Sequence, residues 1–224
     1  MEKQYDLCLE VLRRINKVGV LNKIIIIGSW CIYFYKSYFS DVDYSSSIRT
    51  RDIDFLVPIP AKFRKKVDIP ELLKDLGFIV DFHSKGYIRL NHPELIIEFL
   101  VPERGKGRDK PYPLPELGLN AIALRFLDFL IENSMKLKVD KLMLNVPHPA
   151  AFALHKLIIS SRRMKKEKGI KERQEAIRII NCLIAKGEEG IIKRLFDSMP
   201  KKWRMKVIKA LENYEERNIL AFLS

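Results

Sequence analysis

The chain has 224 residues, enough for one sizeable core or two small domains, and its 47% hydrophobic, 31% charged and 10% aromatic content excludes a coil, a collagen or a mucin. Its 41 Lys and Arg against 28 Asp and Glu leave a formal charge of +13, which favours polyanionic partners but names no activity. Cys8, Cys31 and Cys182 are odd in number and far apart, which excludes a disulfide framework or a zinc knuckle.

Residues 3–17 carry Leu7, Val11, Leu12 and Ile15 at helical spacing and end before Gly19, which predicts a first helix. Ile24, Ile25, Ile26 and Ile27 form a β-branched run of strand length that stops at Gly28-Ser29, and 30–39 reads as an aromatic-rich helix. The polar stretch 40–50 leads into 51–57, which alternates until Pro58 and predicts a second strand opening on acidic residues. A short helix from Asp68 to Leu76 closes at Gly77, and 78–83 with 87–91 predicts a hairpin, followed by a strand at 94–101. The Pro- and Gly-rich stretch 102–116 predicts a long loop, 119–133 a helix and 141–146 a last strand.

Beyond Pro147 every pattern is helical, at 149–164, 171–186, 188–198 and 201–222. The fold class expected is α+β, a mixed sheet with flanking helices over 1–146 followed by an all-helical domain over 147–224. The charged N-terminal hexapeptide lacks a signal peptide's apolar stretch and no apolar run spans a bilayer, so a soluble cytoplasmic protein without a membrane partner is expected.

Asp52 and Asp54 lie two apart on the second predicted strand, so both leave one face while Ile53, Phe55 and Val57 enter the core. Two converging carboxylates either raise one pKa or hold a cation between them, and hard oxygen ligands select Mg²⁺ or Mn²⁺ over zinc. The plainer alternative is a solvated strand face. Gly28-Ser29 adds a turn that permits close backbone approach and offers helix-opening N–H groups to a phosphate. Glu98, between Ile97 and Phe99 in an otherwise apolar strand, is costly to bury without a partner and is the candidate third acid, ahead of Glu94 and Asp81.

Taken together, Ile25-Ile26-Ile27-Gly28-Ser29-Trp30, then Arg49-Thr50-Arg51-Asp52-Ile53-Asp54-Phe55 and a later Ile97-Glu98-Phe99, resemble the polymerase-beta-type nucleotidyltransferase superfamily. The interval between Gly-Ser and the acidic pair is longer than in many members. It is closer to the branch of minimal and toxin-like, abortive-infection-related nucleotidyltransferases.

The resemblance implies a nucleotidyltransferase catalytic domain over 1–146, with Asp52, Asp54 and Glu98 catalytic and metal-binding around Mg²⁺ or Mn²⁺. It implies that Gly28 and Ser29 bind the phosphates of an incoming NTP, and that an NMP passes to a hydroxyl acceptor with loss of pyrophosphate. Thr50, the chain's one threonine, belongs to the nucleotide-binding block. Arg49 and Arg51 are either bidentate phosphate binders or exposed strand-edge charges. Lys156, four residues after Phe152, is either a phosphate contact or a snorkelling surface lysine. Family members show Lys-Asp where this chain has Lys171-Glu172, which leaves Glu172 outside the catalytic set.

The acceptor the charge suggests is RNA, particularly a tRNA end; a protein hydroxyl or a small molecule would use the same core, and the toxin-like branch brings a toxin–antitoxin or defence role into view. His83, His92, His148 and His155 show no zinc-site spacing. The run 162–168 and the segment 201–206, with Trp203, either grip RNA or solvate and anchor helix ends. The rival from another class is a non-catalytic nucleic-acid-binding protein that keeps the fold without turnover.

Overall fold

The computed structural model describes residues 2–46, 50–104, 110–160, 166–213 and 216–223. Helix α1 (Glu2–Lys17) buries Cys8, Val11, Leu12 and Ile15 along one stripe. It stops because Gly19 adopts φ 76, letting Gly19 N donate to Asn16 O at 2.9 Å and Val20 N to Ile15 O at 3.1 Å. Strand β1 (Ile25–Ile27) is buried throughout and runs into α2 (Ser29–Phe34), which tightens into a 3₁₀ turn at Tyr35–Ser37. Trp30, Phe34 and Tyr35 are buried, so the aromatic stripe is core; the Trp30 and Phe34 rings lie 5.7 Å apart.

Strand β2 (Asp52–Leu56) follows, then α3 (Ile69–Leu73), whose start is fixed by Asp68 accepting from Glu71 N at 3.0 Å and by Pro70 in its first turn. β3 (Ile79–Phe82) and β4 (Ile88–Asn91) form the expected hairpin, and β5 (Ile96–Pro102) succeeds them.

Two expectations are overturned between residues 102 and 133. The expected long loop contains β6 (Pro111–Leu114) and a 3₁₀ turn at Pro115–Leu117, and the expected helix opens as β7 (Leu119–Leu124), with α4 restricted to Leu127–Glu132. Leu, Ala and Ile in this stretch tolerate either state. Pairing decides: β7 lies parallel to β5, with Leu100 opposite Ile122, and antiparallel to β6, so tertiary partners override local preference. A strand absent from the pattern, β8 (Ser134–Val139), pairs with β9 (Leu142–Pro147) in a separate two-stranded sheet.

Among the described residues the main sheet runs β1-β2-β5-β4-β3, with β7 also on β5 and β6 on β7; β2 and β5 are parallel. Ile53, Phe55, Ile97 and Phe99 fill its core face, the two phenylalanine rings 5.3 Å apart. The remaining elements are α5 (Pro149–Ser160), α6 (Lys166–Ala185), α7 (Glu189–Ser198), α8 (Lys201–Glu212) and α9 (Arg217–Leu223); the last two divide a stretch that reads as one helix.

The fold is a mixed sheet with flanking helices and a helical C-terminal half. The chain divides into two compact units, Met1–Tyr38 with Ser46–Pro147, and Phe39–Ser45 with His148–Ser224. In the second, Arg178 donates to Ser45 O at 2.7 Å and lies 5.5 Å from the Tyr44 ring. Among the described residues no helix is long and apolar enough to cross a membrane.

Candidate active site

The site is built where β1 ends and β2 begins. The antiparallel register sets Ile27 opposite Asp54, so the glycine that ends β1 arrives beside an acidic side chain. Gly28 has φ 77 and ψ −161, a conformation essentially reserved for glycine. A Cβ there would collide with the Asp54 carboxylate, whose Cγ would stand 3.2 Å away. Ser29 then opens α2, and Cys31 N donates back to Gly28 O at 3.2 Å.

On β2 the alternation is explicit: Ile53, Phe55 and Leu56 are buried, Asp52 is exposed and Asp54 half-buried. The parallel register to β5 then sets Asp54 opposite Glu98, and the antiparallel register to β4 sets Arg89 opposite Glu98. Directly paired residues share a face, so Asp54, Glu98 and Arg89 form one row across three strands, with Asp52 one pleat away.

No sequence pattern singles out Arg89, and it changes the electrostatics of this row. Its Nε forms an ion pair with Glu98 Oε1, and Glu98 keeps only 17% side-chain exposure. Burial opposes the Arg89 charge, but Glu98, Tyr87 and Asp52 outweigh it and hold the guanidinium's pKa above its ordinary value. Arg89 also lies 5.4 Å from the Tyr87 ring, which stacks on His83 at 4.2 Å with planes 12° apart. Arg89 emerges only from the strand pairing, which sets a basic residue on β4 opposite a half-buried acid on β5.

Thr50 Oγ1 accepts from Asp52 N at 3.2 Å and approaches Asp52 Oδ2 at 3.4 Å, while Thr50 O accepts from Gln4 Nε2 at 2.7 Å. Its contacts orient Asp52. Arg51 donates to Pro93 O at 2.8 Å, tying the start of β2 to the turn before β5. Arg49 lies outside the described residues, as does most of the 162–168 run.

Lys156 belongs to the helical unit and is neither exposed nor snorkelling. It is 7% exposed, with Nζ 3.6 Å from Glu172 and 3.8 Å from Glu175. Glu172, outside the site on sequence grounds, is its buried partner at 3% exposure.

Among the described residues no three His, Cys, Asp or Glu side chains converge closely enough to hold a metal ion as they stand. Glu98 is engaged with Arg89 instead. The donor set nonetheless suits a hard divalent cation: two aspartates on one face and a third carboxylate on the adjacent strand, all oxygen ligands.

The fold is that of an α+β protein whose sheet sets acidic side chains beside a glycine turn. The nucleotidyltransferase family model matches residues 7–185, and the chain belongs to that family. Among solved structures it is similar to an antigenic nucleotidyltransferase-like protein from Paracoccidioides brasiliensis, at 15% identity and TM-score 0.51 over 97% of this chain and 91% of that one. The antibiotic-resistance factor ANT(2'')-Ia in solution matches at 12% identity and TM-score 0.49, over 97% of both chains. Its crystal structure with adenylyl-2''-tobramycin matches at 12% and 0.48, over 95% of this chain and 99% of that one. No curated protein matches the chain in sequence.

Proposed function

We propose that the first unit transfers an NMP from an NTP to an acceptor hydroxyl, releasing pyrophosphate, with Mg²⁺ or Mn²⁺ as cofactor. The observation that carries this is the row of Asp54, Glu98 and Arg89 in register beside Gly28, with Asp52 on the same face. Asp52 and Asp54 are the residues to hold the metal, joined by Glu98 when its pair with Arg89 opens. When bound, the divalent cation neutralises charge on the triphosphate and polarises the α-phosphorus.

The chain's own residues do the rest. Gly28 lets the backbone approach the β- and γ-phosphates without a side chain between, and Ser29 offers its N–H and hydroxyl. Thr50 holds the start of β2 through the hydrogen bond it accepts from Asp52 N, and its hydroxyl reaches the Asp52 carboxylate at 3.4 Å. Arg89 is placed to exchange Glu98 for a phosphate oxygen, a charge-assisted contact that strengthens as negative charge builds in the transition state. Glu98, released from it, receives the acceptor's proton. The acceptor oxygen forms its bond to Pα in line as the bond from Pα to the bridging oxygen breaks, and the electron pair leaves with pyrophosphate.

The acceptor we favour is an RNA hydroxyl, on the formal charge of +13. The spelling Arg49-Thr50-Arg51-Asp52-Ile53-Asp54-Phe55 supports a place in the toxin-like branch. The test is label transfer from each α-³²P-NTP to total RNA, protein or small hydroxyl acceptors with Mg²⁺ or Mn²⁺. Wild type should transfer label, and Asp52→Ala or Asp54→Ala should lose at least about 10³-fold while keeping their fold. If wild type labels nothing, a binding protein without turnover is the better description.

A further inference from the structure

We propose that the first unit carries a second phosphate-binding site, unconnected with the acidic row, at the other end of β1. The end of α1, the turn before β1 and the loop after β2 enclose a cavity of about 330 Å³ lined by Lys17, Gly19, Lys23, Phe63, Arg64 and Lys65, among others. Among the described residues no Asp or Glu lines it. All four cations are exposed, and among the described residues their charged groups have no ion-pair partner.

Part of this has a simple structural cause, because a cation in the last turn of α1 complements the helix dipole. That accounts for one of the four. The dipole end carries about half a unit charge, against four full positive charges. The terminal carbonyls of α1 are, moreover, already bonded to Val18, Gly19 and Val20 N–H groups. Lys23, Arg64 and Lys65 come from two other segments, and nothing in the helix calls for them. Like charges gathered without acids repel one another, so the arrangement costs stability unless an anion relieves it.

The ligand chemistry follows from the lining. Flexible, exposed Lys and Arg side chains around an open cavity suit a run of phosphates rather than one rigid carboxylate. Phe63, half-buried between Lys62 and Arg64, adds an aromatic surface, the combination used on single-stranded nucleic acid. A phosphodiester backbone and a free oligophosphate share this chemistry. Lys23 precedes β1 and Gly28 follows it, a chain reach of at most about 17 Å, so the two sites occupy opposite ends of one strand.

The test measures binding of a short single-stranded oligoribonucleotide, and separately of tripolyphosphate, to the whole chain without nucleotide or metal. The result is therefore independent of nucleotidyl transfer. Arg64→Glu/Lys65→Glu should weaken RNA binding by at least about tenfold and lower the slope of log K against log salt by about 1.4, two phosphate contacts' worth. Lys136→Glu/Lys138→Glu, the same charge change on exposed positions of β8, should alter it less than about twofold. Circular dichroism checks that both variants fold, and Lys23→Gln alone provides a milder probe. Tripolyphosphate that displaces RNA identifies a free oligophosphate as the sufficient ligand; RNA binding that tripolyphosphate leaves untouched identifies the backbone with its bases. Equal weakening by both charge-reversal pairs, or no salt-dependent binding by wild type, overturns the proposal.

Discussion

At the residue scale, the site is governed by what glycine lacks and what arginine supplies. Gly28 holds φ 77 within reach of Asp54, and any side chain there meets both a forbidden conformation and a carboxylate. Gly28→Ala should therefore cost about 1–3 kcal/mol in denaturant unfolding and remove transfer activity, because relieving the clash displaces Asp54. Arg89 is the counter-cation of the acidic row, and its raised pKa reflects Glu98 and Asp52 prevailing over burial. Replacing it by Met removes the cation paired with Glu98 and increases the repulsion within the acidic row. Arg89→Met should lower the melting temperature in EDTA and enlarge the rise produced by Mg²⁺, read by differential scanning fluorimetry. An equal Mg²⁺ shift in both proteins would mean that Arg89 and the metal do not compete for the same charges.

At the scale of elements, legibility in the sequence depends on whether an element explains itself locally. Asp52-Ile53-Asp54-Phe55 announces its alternation, and Gly28-Ser29 its turn, so β1, β2 and the glycine between them are legible. Register is not. That Arg89 faces Glu98 follows from two strand pairings, and that β7 is a strand follows from lying between β5 and β6. Lys156 shows the same limit on a helix, since spacing cannot distinguish a phosphate ligand from the centre of a buried ion cluster. The cluster makes its own prediction. With Glu172 at 3% exposure, Lys156→Met takes the ammonium away from a buried carboxylate and should cost about 3–5 kcal/mol by chemical denaturation. Lys156→Met/Glu172→Leu should recover much of that loss, whereas a lysine whose main work is holding phosphate would show raised KM with little change in stability.

On the scale of the whole molecule, the chain enters its helical unit twice. Phe39–Ser45 lies in sequence between two parts of the sheet-bearing unit yet packs with the helices that begin a hundred residues later. A linear pattern places one boundary near Pro147 and cannot see this segment, which carries no helical or strand periodicity. Its hold is physical: the Phe39 and Tyr44 rings lie 4.7 Å apart, Arg178 covers Tyr44, and Lys186 pairs with Asp41. The aromatic pair and the cation over it together contribute about 1–2.5 kcal/mol. Tyr44→Ala in the full chain should therefore accelerate amide hydrogen exchange in α6, which carries Arg178 and is followed directly by Lys186, while β2 and β5 keep their protection. Tyr112→Ala, on β6 of the other unit, serves as the reciprocal control and should leave α6 unchanged. If Tyr44→Ala loosens β2 and β5 as much as α6, the segment is a support of the sheet and the division into two units does not describe how the chain unfolds.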